Sequence, residues 1–262
     1  MIGGVFFVAL VWFLLLSPSN DLDWEMEYSK LPEIEVDGST VNVKSLRNFD
    51  WHGATEFDSK WEERSFDLDR LNSVELMVEP FGDSELVAHV MLGFGFEGGE
   101  RVIVSAEARK QVGEQYGLIA GALRQFELMY VFGSEEDILR LRAIHFESRL
   151  FVYPIKANRK FMQKLFVDLC GSANELLEKP QFYATFRRNC ATTLLDHINQ
   201  VHVEKIGSRS EKLFSAQAGK LLYELGYMDT ELSFEEAREH FQIDEKIRQY
   251  ADDPRFSEKI RE

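Results

Sequence analysis

Two runs of mostly apolar, strand-forming residues lie near the middle of the chain and predict a β-hairpin. They fill 86–96 and 101–107, and a Gly-Gly turn lies between them. If the turn is centred on residue 98, His89 lies opposite Glu107; if it is centred half a residue later, His89 lies opposite Ala108. Opposed side chains on neighbouring strands have Cβ atoms about 5 Å apart. The first register would therefore place a carboxylate beside an imidazole.

Shorter strand patterns lie on either side of this hairpin. Residues 31–36 and 39–43 alternate apolar and polar positions, and Asp37-Gly38 between them is typical of a hairpin turn. The charged and aromatic stretch 61–71 predicts a strand and a turn, and 151–155 predicts a short strand.

Apolar residues at helical spacing dominate the second half of the chain. The clearest amphipathic helix spans 158–179 and is ended by Pro180. A second helix is predicted over 189–202. Residues 122–131 also predict a helix, and the charged residues of 135–142 that follow are spaced for local ion pairs, to which we assign no catalytic role.

The part of the chain after Val203 predicts short helices rich in charge. Phe214 to Leu222 is one amphipathic piece, and the capping-box pattern at Ser233 opens another that runs through His240. We therefore expect 203–262 to be a helical C-terminal part, with its polar tail lying over the surface.

Residues 1–16 are uncharged and almost wholly apolar, and this run admits three interpretations. It is slightly short for a membrane-spanning helix, which needs roughly 17–25 residues, and a buried core helix is one alternative. A cleaved signal peptide would carry a basic start and a small-residue cleavage site, which Ser17-Pro18-Ser19 does not supply. We favour an uncleaved anchor over 1–19. Since acidic residues follow it, the body, 20–262, is expected outside the cytoplasm.

Composition excludes several classes of function. The formal net charge of −15 disfavours nonspecific binding of nucleic acid, so we expect no nucleic-acid partner. The chain has neither a CxxC nor an HExxH signature, so we expect no metal and no cofactor. Its two cysteines, Cys170 and Cys190, could pair or stay free. The apolar neighbours of Cys170 favour a buried structural thiol.

Cys190 lies where a polar approach turns into helical periodicity, and it is the candidate nucleophile. Asn189 is a suitable N-cap, which places Cys190 in the first turn of its helix. Free N–H groups and the positive end of the helix dipole favour the thiolate there. With His89 as base and Glu107 orienting it, the three would form a catalytic set. The alternative is a small buried hydrophobe at 190 and an ordinary strand histidine at 89.

Several ordered segments resemble a bacterial family named after Lnb, a lipoprotein N-acyltransferase, and in particular the N-terminal periplasmic domain of that family. The resemblance covers nearly everything after residue 20. The segments that carry it are VKSLRNF (43–49), WEER (61–64), DLDRL (67–71), AH (88–89), SAEAR (105–109), RQFEL (124–128), PQFY (180–183), NCATT (189–193) and FSEKIR (256–261).

This resemblance implies an α+β protein with a circularly permuted papain-like fold and an antiparallel sheet, similar to lecithin retinol acyltransferase and the permuted NlpC-type hydrolases. In that arrangement the His strand precedes the Cys helix, which is the order of His89 and Cys190 here. The family's histidine and cysteine map onto these two residues, whereas Glu107 is assigned from hairpin geometry. We also expect Asn189 and Tyr183 to contact the substrate.

The function expected on these grounds is a periplasmic Cys–His thiol acyltransferase or hydrolase, anchored in the inner membrane of the bacterial cell envelope. It would act through an acyl-thioester, with a membrane phospholipid or a lipoprotein as substrate. A peptidoglycan amidase or peptidase is one alternative. A catalytically silent envelope binding module is another, in which Arg124, Glu127 and the charges of 135–142 would form an interaction surface.

Overall fold

A computed structural model describes residues 13, 15–185, 187–202 and 215–262 and shows a mixed α+β architecture built on one large sheet. This confirms the predicted α+β class with a mainly antiparallel sheet. Residues 1–12, which hold most of the predicted anchor, lie outside the described residues. Within the described ranges, no helix combines the length and the apolar character needed to cross a membrane.

Eight strands form the large sheet in the order β1-β2-β9-β8-β7-β6-β10, and β5 also pairs with β2, while β3 and β4 form a separate ribbon. Paired strands are antiparallel except β2 and β9, which meet in parallel at Arg47 and Gly133. The strands are β1 Glu33–Asp37, β2 Thr40–Arg47, β3 Asp50–Trp51, β4 Phe57–Asp58, β5 Trp61–Asp67, β6 Leu71–Pro80, β7 Ala88–Phe96, β8 Arg101–Arg109, β9 Glu127–Gly133 and β10 Phe151–Pro154.

Helices cover both faces of the sheet. The α-helices are α1 Leu118–Ala122, α2 Glu135–Arg140, α3 Arg159–Glu178, α4 Cys190–Val201, α5 Ala218–Glu224, α6 Phe234–His240, α7 Asp244–Gln249 and α8 Phe256–Lys259. A π-helix, Leu141–His145, continues α2, and short 3-10 turns occur at Met26–Tyr28, Leu68–Arg70 and Ser215–Gln217. The predicted helices over 158–179 and 189–202 and the capping box at Ser233 are confirmed.

Turn chemistry sets the register of the hairpins. The β7–β8 pairs run from Met91 and Ser105 to Gly95 and Arg101, so the hairpin is centred on residue 98, the first of the two predicted registers. Gly98 and Gly99 occupy the turn with φ of +100° and +91°, which side chains other than glycine rarely adopt. In the β1–β2 hairpin the turn falls on residues 38 and 39, one residue later than predicted.

The helix predicted over 122–131 is wrong, because Glu127–Gly133 is strand β9 and only the short α1 precedes it. β9 lies inside the sheet between β2 and β8, and all of its residues are buried. A strand that is covered on both faces shows a continuous apolar run, which periodicity alone does not separate from a buried helix.

Two hydrophobic cores lie on opposite faces of the sheet. On the first face α3 and α4 pack against the strands, and Phe166 contacts four other phenylalanine rings at its centre. On the second face Met77, Met91 and Met129 pack against α2, the π-helix, α7 and α8. The candidate site lies at one end of the strands that separate these cores.

The C-terminal tail is part of the second core, and the prediction of a tail lying over the surface is wrong. Phe256 and Ile260 are 2% and 0% exposed. Arg261 beyond them pairs with Glu75 of β6 and with Glu135 of α2. Two apolar residues four apart were sufficient to bury one side of a short helix, although the segment is mostly polar.

Three charged residues of 135–142, namely Glu135, Asp137 and Arg142, form long-range buried ion pairs, so the prediction of local pairs is also wrong. Asp137 is 1% exposed and accepts two hydrogen bonds from Arg47 of β2, at 3.0 Å each. It also accepts from the backbone N–H of Phe49 at 2.8 Å and from Trp51 Nε1 at 2.9 Å. Residues distant in sequence supply these partners, which helical spacing cannot reveal.

The Arg47–Asp137 pair predicts a large loss of stability in Asp137→Asn. Removing one partner of a buried pair leaves the other charge uncompensated, which typically costs about 3–5 kcal/mol. Urea unfolding would measure this loss. Asp58→Asn is the matched control: Asp58 pairs with His52 at the surface, with its side chain 86% exposed, so its loss should be under about 1 kcal/mol. Equal losses in the two variants would contradict this account of the core.

Candidate active site

Helix α4 begins at Cys190, as predicted, and presents its sulfur at the helix start. Asn189 caps the helix: its side-chain oxygen accepts from the N–H of Thr192 at 2.8 Å, and Thr192 Oγ1 accepts from the N–H of Asn189 at 2.9 Å. Among the described residues, the N–H groups of Cys190 and Ala191 have no acceptor. First-turn N–H groups of this kind stabilise negative charge nearby.

Asn189 has a clear structural role in this turn. Besides capping α4, its side-chain amide donates to the carbonyl oxygen of Thr185 at 2.6 Å. Both polar atoms of the side chain are therefore engaged within the protein. The contact with substrate expected for Asn189 stays a prediction.

Strands β7 and β8 separate at the end of the sheet where α4 begins. Their pairing stops at Met91 and Ser105, although β7 stays paired with β6 as far as Ala88 and β8 stays paired with β9 as far as Arg109. A gap therefore opens between two strands that are each held on their other side.

Cys190 lies at this gap. The carbonyl oxygen of Val87 accepts from Phe81 on the β6 side. Since successive carbonyls of a strand point to opposite sides, the carbonyl of Ala88 points toward the gap. The sulfur of Cys190 lies 3.8 Å from that oxygen. Cys190 is 5% exposed, so the sulfur is enclosed by protein.

His89 follows Ala88 and contacts the predicted carboxylate. His89 Nε2 lies 2.7 Å from Ser105 Oγ and 3.1 Å from Glu107 Oε1, and the Ser105 hydroxyl donates to the same Glu107 oxygen at 2.8 Å. Because that hydroxyl gives its hydrogen to the carboxylate, its oxygen accepts from His89, which assigns a proton to Nε2.

The same imidazole lies close enough to Cys190 for the sulfur to act on the pKa of His89. Since Ser105 and Glu107 engage Nε2, the ring nitrogen left for the sulfur is Nδ1. The structure therefore brings together Cys190, His89 and Glu107, which are separated by up to about one hundred residues in sequence. Their catalytic roles stay predictions.

Electrostatics favour a protonated imidazole at this position. Burial lowers the pKa of His89, but the neighbouring Glu107 carboxylate and Cys190 sulfur outweigh it and raise this pKa to about 10. Burial acts to raise the pKa of Glu107, but His89 and Arg142 hold it below its usual range. The Glu107 carboxylate and the His89 imidazolium thus stabilise each other.

Tyr183, the other residue expected to contact substrate, lies close to this sulfur. Its side chain is buried, and its ring meets that of Tyr116 edge-on, with the ring centroids 6.1 Å apart. Burial, followed by the charge of Cys190, raises the pKa of Tyr183. Tyr183 is therefore a neutral hydroxyl beside the candidate nucleophile.

Cys170 differs from Cys190 in its surroundings, because it lies within a helix among apolar residues. Both cysteines are free thiols, so no disulfide joins them. Cys170 is 1% exposed within α3, and burial raises the pKa of its thiol. This confirms the expectation of a buried structural thiol, and Cys170 serves below as an internal reference.

Three polar residues of the site were missed in the sequence. Ser105 lies two residues before Glu107, on the same face of β8, and this alternation was a usable signal. Glu79 lies directly opposite His89 on β6. Arg142 reaches both Glu79 and Glu107, each at 3.0 Å, and nothing in the local sequence indicates this.

A second buried histidine, His197, fixes the position of α4. His197 Nδ1 lies 2.6 Å from Asp168 Oδ2 on α3, and its Nε2 lies 2.6 Å from the Tyr130 hydroxyl on β9. His197 is seven residues after Cys190, about two helical turns, and so lies on the same face of α4. No group of three or more His, Cys, Asp or Glu side chains in the described part of the chain is arranged to hold a metal ion.

Comparison with known protein families gives a match that includes the residues of this site. The family model described as the Lnb N-terminal periplasmic domain matches residues 57–217, more than half of the chain. The matched region contains His89, Glu107 and Cys190. No curated protein and no solved structure matches the chain significantly.

The pKa of His89 predicts a pH-dependent stability. A group whose pKa is about 10 in the folded state and 6.5 in the unfolded chain stabilises the fold fully below pH 6.5, and the contribution is lost as the pH rises through 10. The free energy of unfolding should fall across this window by more than about 1.4 kcal/mol, the equivalent of one pKa unit. His89→Gln should lack this decline in urea unfolding at a series of pH values.

The control is His240→Gln, which removes an exposed histidine at the end of α6. This variant should keep the decline of the wild-type protein. The same decline in His89→Gln as in the wild type would show that the fold does not hold the proton of His89 more tightly.

Proposed function

The chain belongs to the Lnb N-terminal periplasmic domain family, and on this premise we propose that it is a Cys–His thiol acyltransferase or hydrolase of the bacterial cell envelope. One observation carries the proposal: His89 lies beside Cys190 while Glu107 and Ser105 engage its Nε2. Thiol-based acyl transfer requires a nucleophile beside a base, with a carboxylate that orients the base from its other side.

The first half of the reaction forms an acyl-thioester. The Cys190 thiolate attacks the carbonyl carbon of an ester or amide, and a tetrahedral oxyanion results. As the carbon–oxygen or carbon–nitrogen bond breaks, the His89 imidazolium gives its proton to the departing alcohol or amine. The acyl group is then bound to sulfur, and His89 is neutral.

The second half transfers the acyl group. Neutral His89 takes a proton from water or from an amine as that nucleophile attacks the thioester carbonyl. The carbon–sulfur bond breaks, which regenerates the thiolate beside an imidazolium. Water as the acceptor gives a hydrolase, and an amine gives an acyltransferase.

The proposed donors for the oxyanion lie in the first turn of α4 and beside it. The N–H groups of Cys190 and Ala191 are the candidates from the backbone, and the Tyr183 hydroxyl is a candidate from a side chain. Removing one such donor typically costs about 10²–10³ in rate. This assigns Tyr183 a role in the contact with substrate.

The fold, the cellular location and the membrane anchor in this proposal come from the family and from the sequence. The order of a His strand before a Cys helix suits a circularly permuted papain-like arrangement. The family's printed description as a periplasmic domain supports a location in the periplasm, and the apolar segment 1–19 is proposed as an inner-membrane anchor. An anchored site suits an acyl donor in the bilayer, such as a phospholipid or a lipoprotein.

Alkylation of the two cysteines tests the activated thiol. In the detergent-solubilised full chain at neutral pH, iodoacetamide should label Cys190 at least about 10-fold faster than Cys170, because the thiolate is the reactive form. His89→Ala should abolish most of this difference, whereas His240→Ala should preserve it. Peptide mass spectrometry after timed quenching measures both rates.

Acyl donors then separate the substrate classes. The same protein is incubated with a phospholipid carrying isotope-labelled acyl chains, with a diacylated lipoprotein peptide or with a peptidoglycan peptide. A hydroxylamine-sensitive adduct on Cys190, absent in Cys190→Ser, identifies the donor. Equal labelling of the two cysteines, unchanged in His89→Ala, would contradict the proposal. Rapid labelling without a thioester from any donor would favour the catalytically silent module.

A further inference from the structure

Arg142 is a buried arginine outside the predicted catalytic set. It is 5% exposed and lies in the π-helix Leu141–His145 that continues α2. Its Nη1 donates to the carbonyl oxygen of Ile138 at 3.3 Å, which ties the side chain to its own helix. π-Helical turns are rare and are frequently found at functional sites.

The guanidinium joins two carboxylates that flank His89. Arg142 Nη2 donates to Glu107 Oε1 at 3.0 Å, the oxygen that also faces His89 Nε2. Arg142 Nε lies 3.0 Å from Glu79 Oε2. Glu79 is the direct cross-strand neighbour of His89 on β6, so both carboxylates lie on the same face of the sheet as the imidazole.

Charge neutrality explains why a cation is needed at this position. Glu79 and Glu107 bring two negative charges to a buried region, and a protonated His89 brings one positive charge. Two carboxylates that share one imidazolium compete for it, and their like charges repel each other. Arg142 supplies the second positive charge and contacts both carboxylates.

We propose that Arg142 is a positioning residue that keeps Glu107 ionised and directed at His89 while it holds Glu79 away from the imidazole. This inference rests on the proposed function and adds a residue to it. Arg142 itself touches neither the sulfur nor a substrate, so its effect passes through Glu107 and His89 to Cys190.

The ionisable groups around Glu107 and His89 determine how the reactivity of Cys190 depends on pH. In addition to Arg142 and Glu79, they are Cys190 of α4, Tyr183, Tyr28 and Arg47. Burial and nearby carboxylate charge raise the pKa of both tyrosines, and the pKa of Arg47 is also raised, by Asp137 against the effect of burial. Tyr28, Tyr183 and Arg47 therefore keep their charge state between about pH 5 and pH 9. Thiol reactivity is followed over this same range.

The test is the pH profile of Cys190 alkylation by iodoacetamide in the full chain. In Arg142→Met no arginine holds Glu107 in place beside the His89 imidazolium. The Cys190 thiolate should therefore form at higher pH. The rate at neutral pH should fall about 10- to 100-fold, the equivalent of one charged hydrogen bond, and the midpoint should rise by about one pH unit or more. The plateau at high pH should match that of the wild type, because the thiolate forms there in both proteins.

Three further variants separate positioning from mere neutralisation. Arg142→Lys keeps the positive charge but not the two-pronged set of donors. Its midpoint of Cys190 alkylation should therefore lie between those of Arg142→Met and the wild type. This variant also keeps the test valid if Arg142→Met does not fold. Glu79→Gln combined with Arg142→Met removes one charge of each sign and should keep the shifted midpoint. Arg140→Met is the matched control, since Arg140 lies two residues earlier over the Phe256 ring, and its profile should be unchanged.

The outcomes distinguish this inference from the proposed function. A fast wild-type Cys190 with an unshifted midpoint in Arg142→Met would overturn the role of Arg142 and leave the thiol chemistry in place. A midpoint restored in the double variant would show that Arg142 only neutralises Glu79, which also overturns it. A wild-type Cys190 no faster than Cys170 would overturn both.

Discussion

The burial of charge on the second face of the sheet is the constraint on which the rest of the structure depends. Three carboxylates, Glu75, Glu79 and Glu107, project from β6 and β8 into a face that is covered by α2, the π-helix, α7 and α8. Ionised groups in such a place are tolerated only with charged partners. Two of the partners come from outside the sheet: Arg261 lies at the end of the chain, and Arg142 lies in the π-helix. The C-terminal helices are therefore as necessary to the sheet as the strands are.

The same constraint accounts for the acid–base chemistry proposed for the site. Where β7 and β8 separate, the row of buried charges reaches the gap at which α4 begins. A histidine at that position has carboxylates on one side and a sulfur on the other, and its proton is stabilised by both. In the interior of the sheet such a network only contributes to stability. At the gap it contacts a nucleophilic atom, and the proposed acid–base chemistry follows from that difference in position.

Local patterns predicted those features that depend on local physics. The β7–β8 register follows from the position of two glycines in the turn, so the contact of His89 with Glu107 could be obtained by counting residues. The N-cap at Asn189 depends only on the residues at the helix start. The features that failed depend on tertiary context. The sequence of strand β9 predicts a helix because burial on both faces removes alternation. The partners of Asp137 and Arg142 lie on elements that only the complete fold brings together.

The distance between sulfur and imidazole is set by how α4 is held against the sheet, since neither half of the site can be fixed by its own element. The cap formed by Asn189 fixes where α4 begins, but it leaves the helix free to rotate about its axis. His197 removes that freedom, because it contacts Asp168 of α3 and Tyr130 of β9 from the same face of α4 that carries Cys190. His89, in turn, is held by Ser105, Glu107 and, through Arg142, by the second core. The two cores thus fix the two reacting atoms separately, and the geometry of the proposed site is a property of the whole sheet.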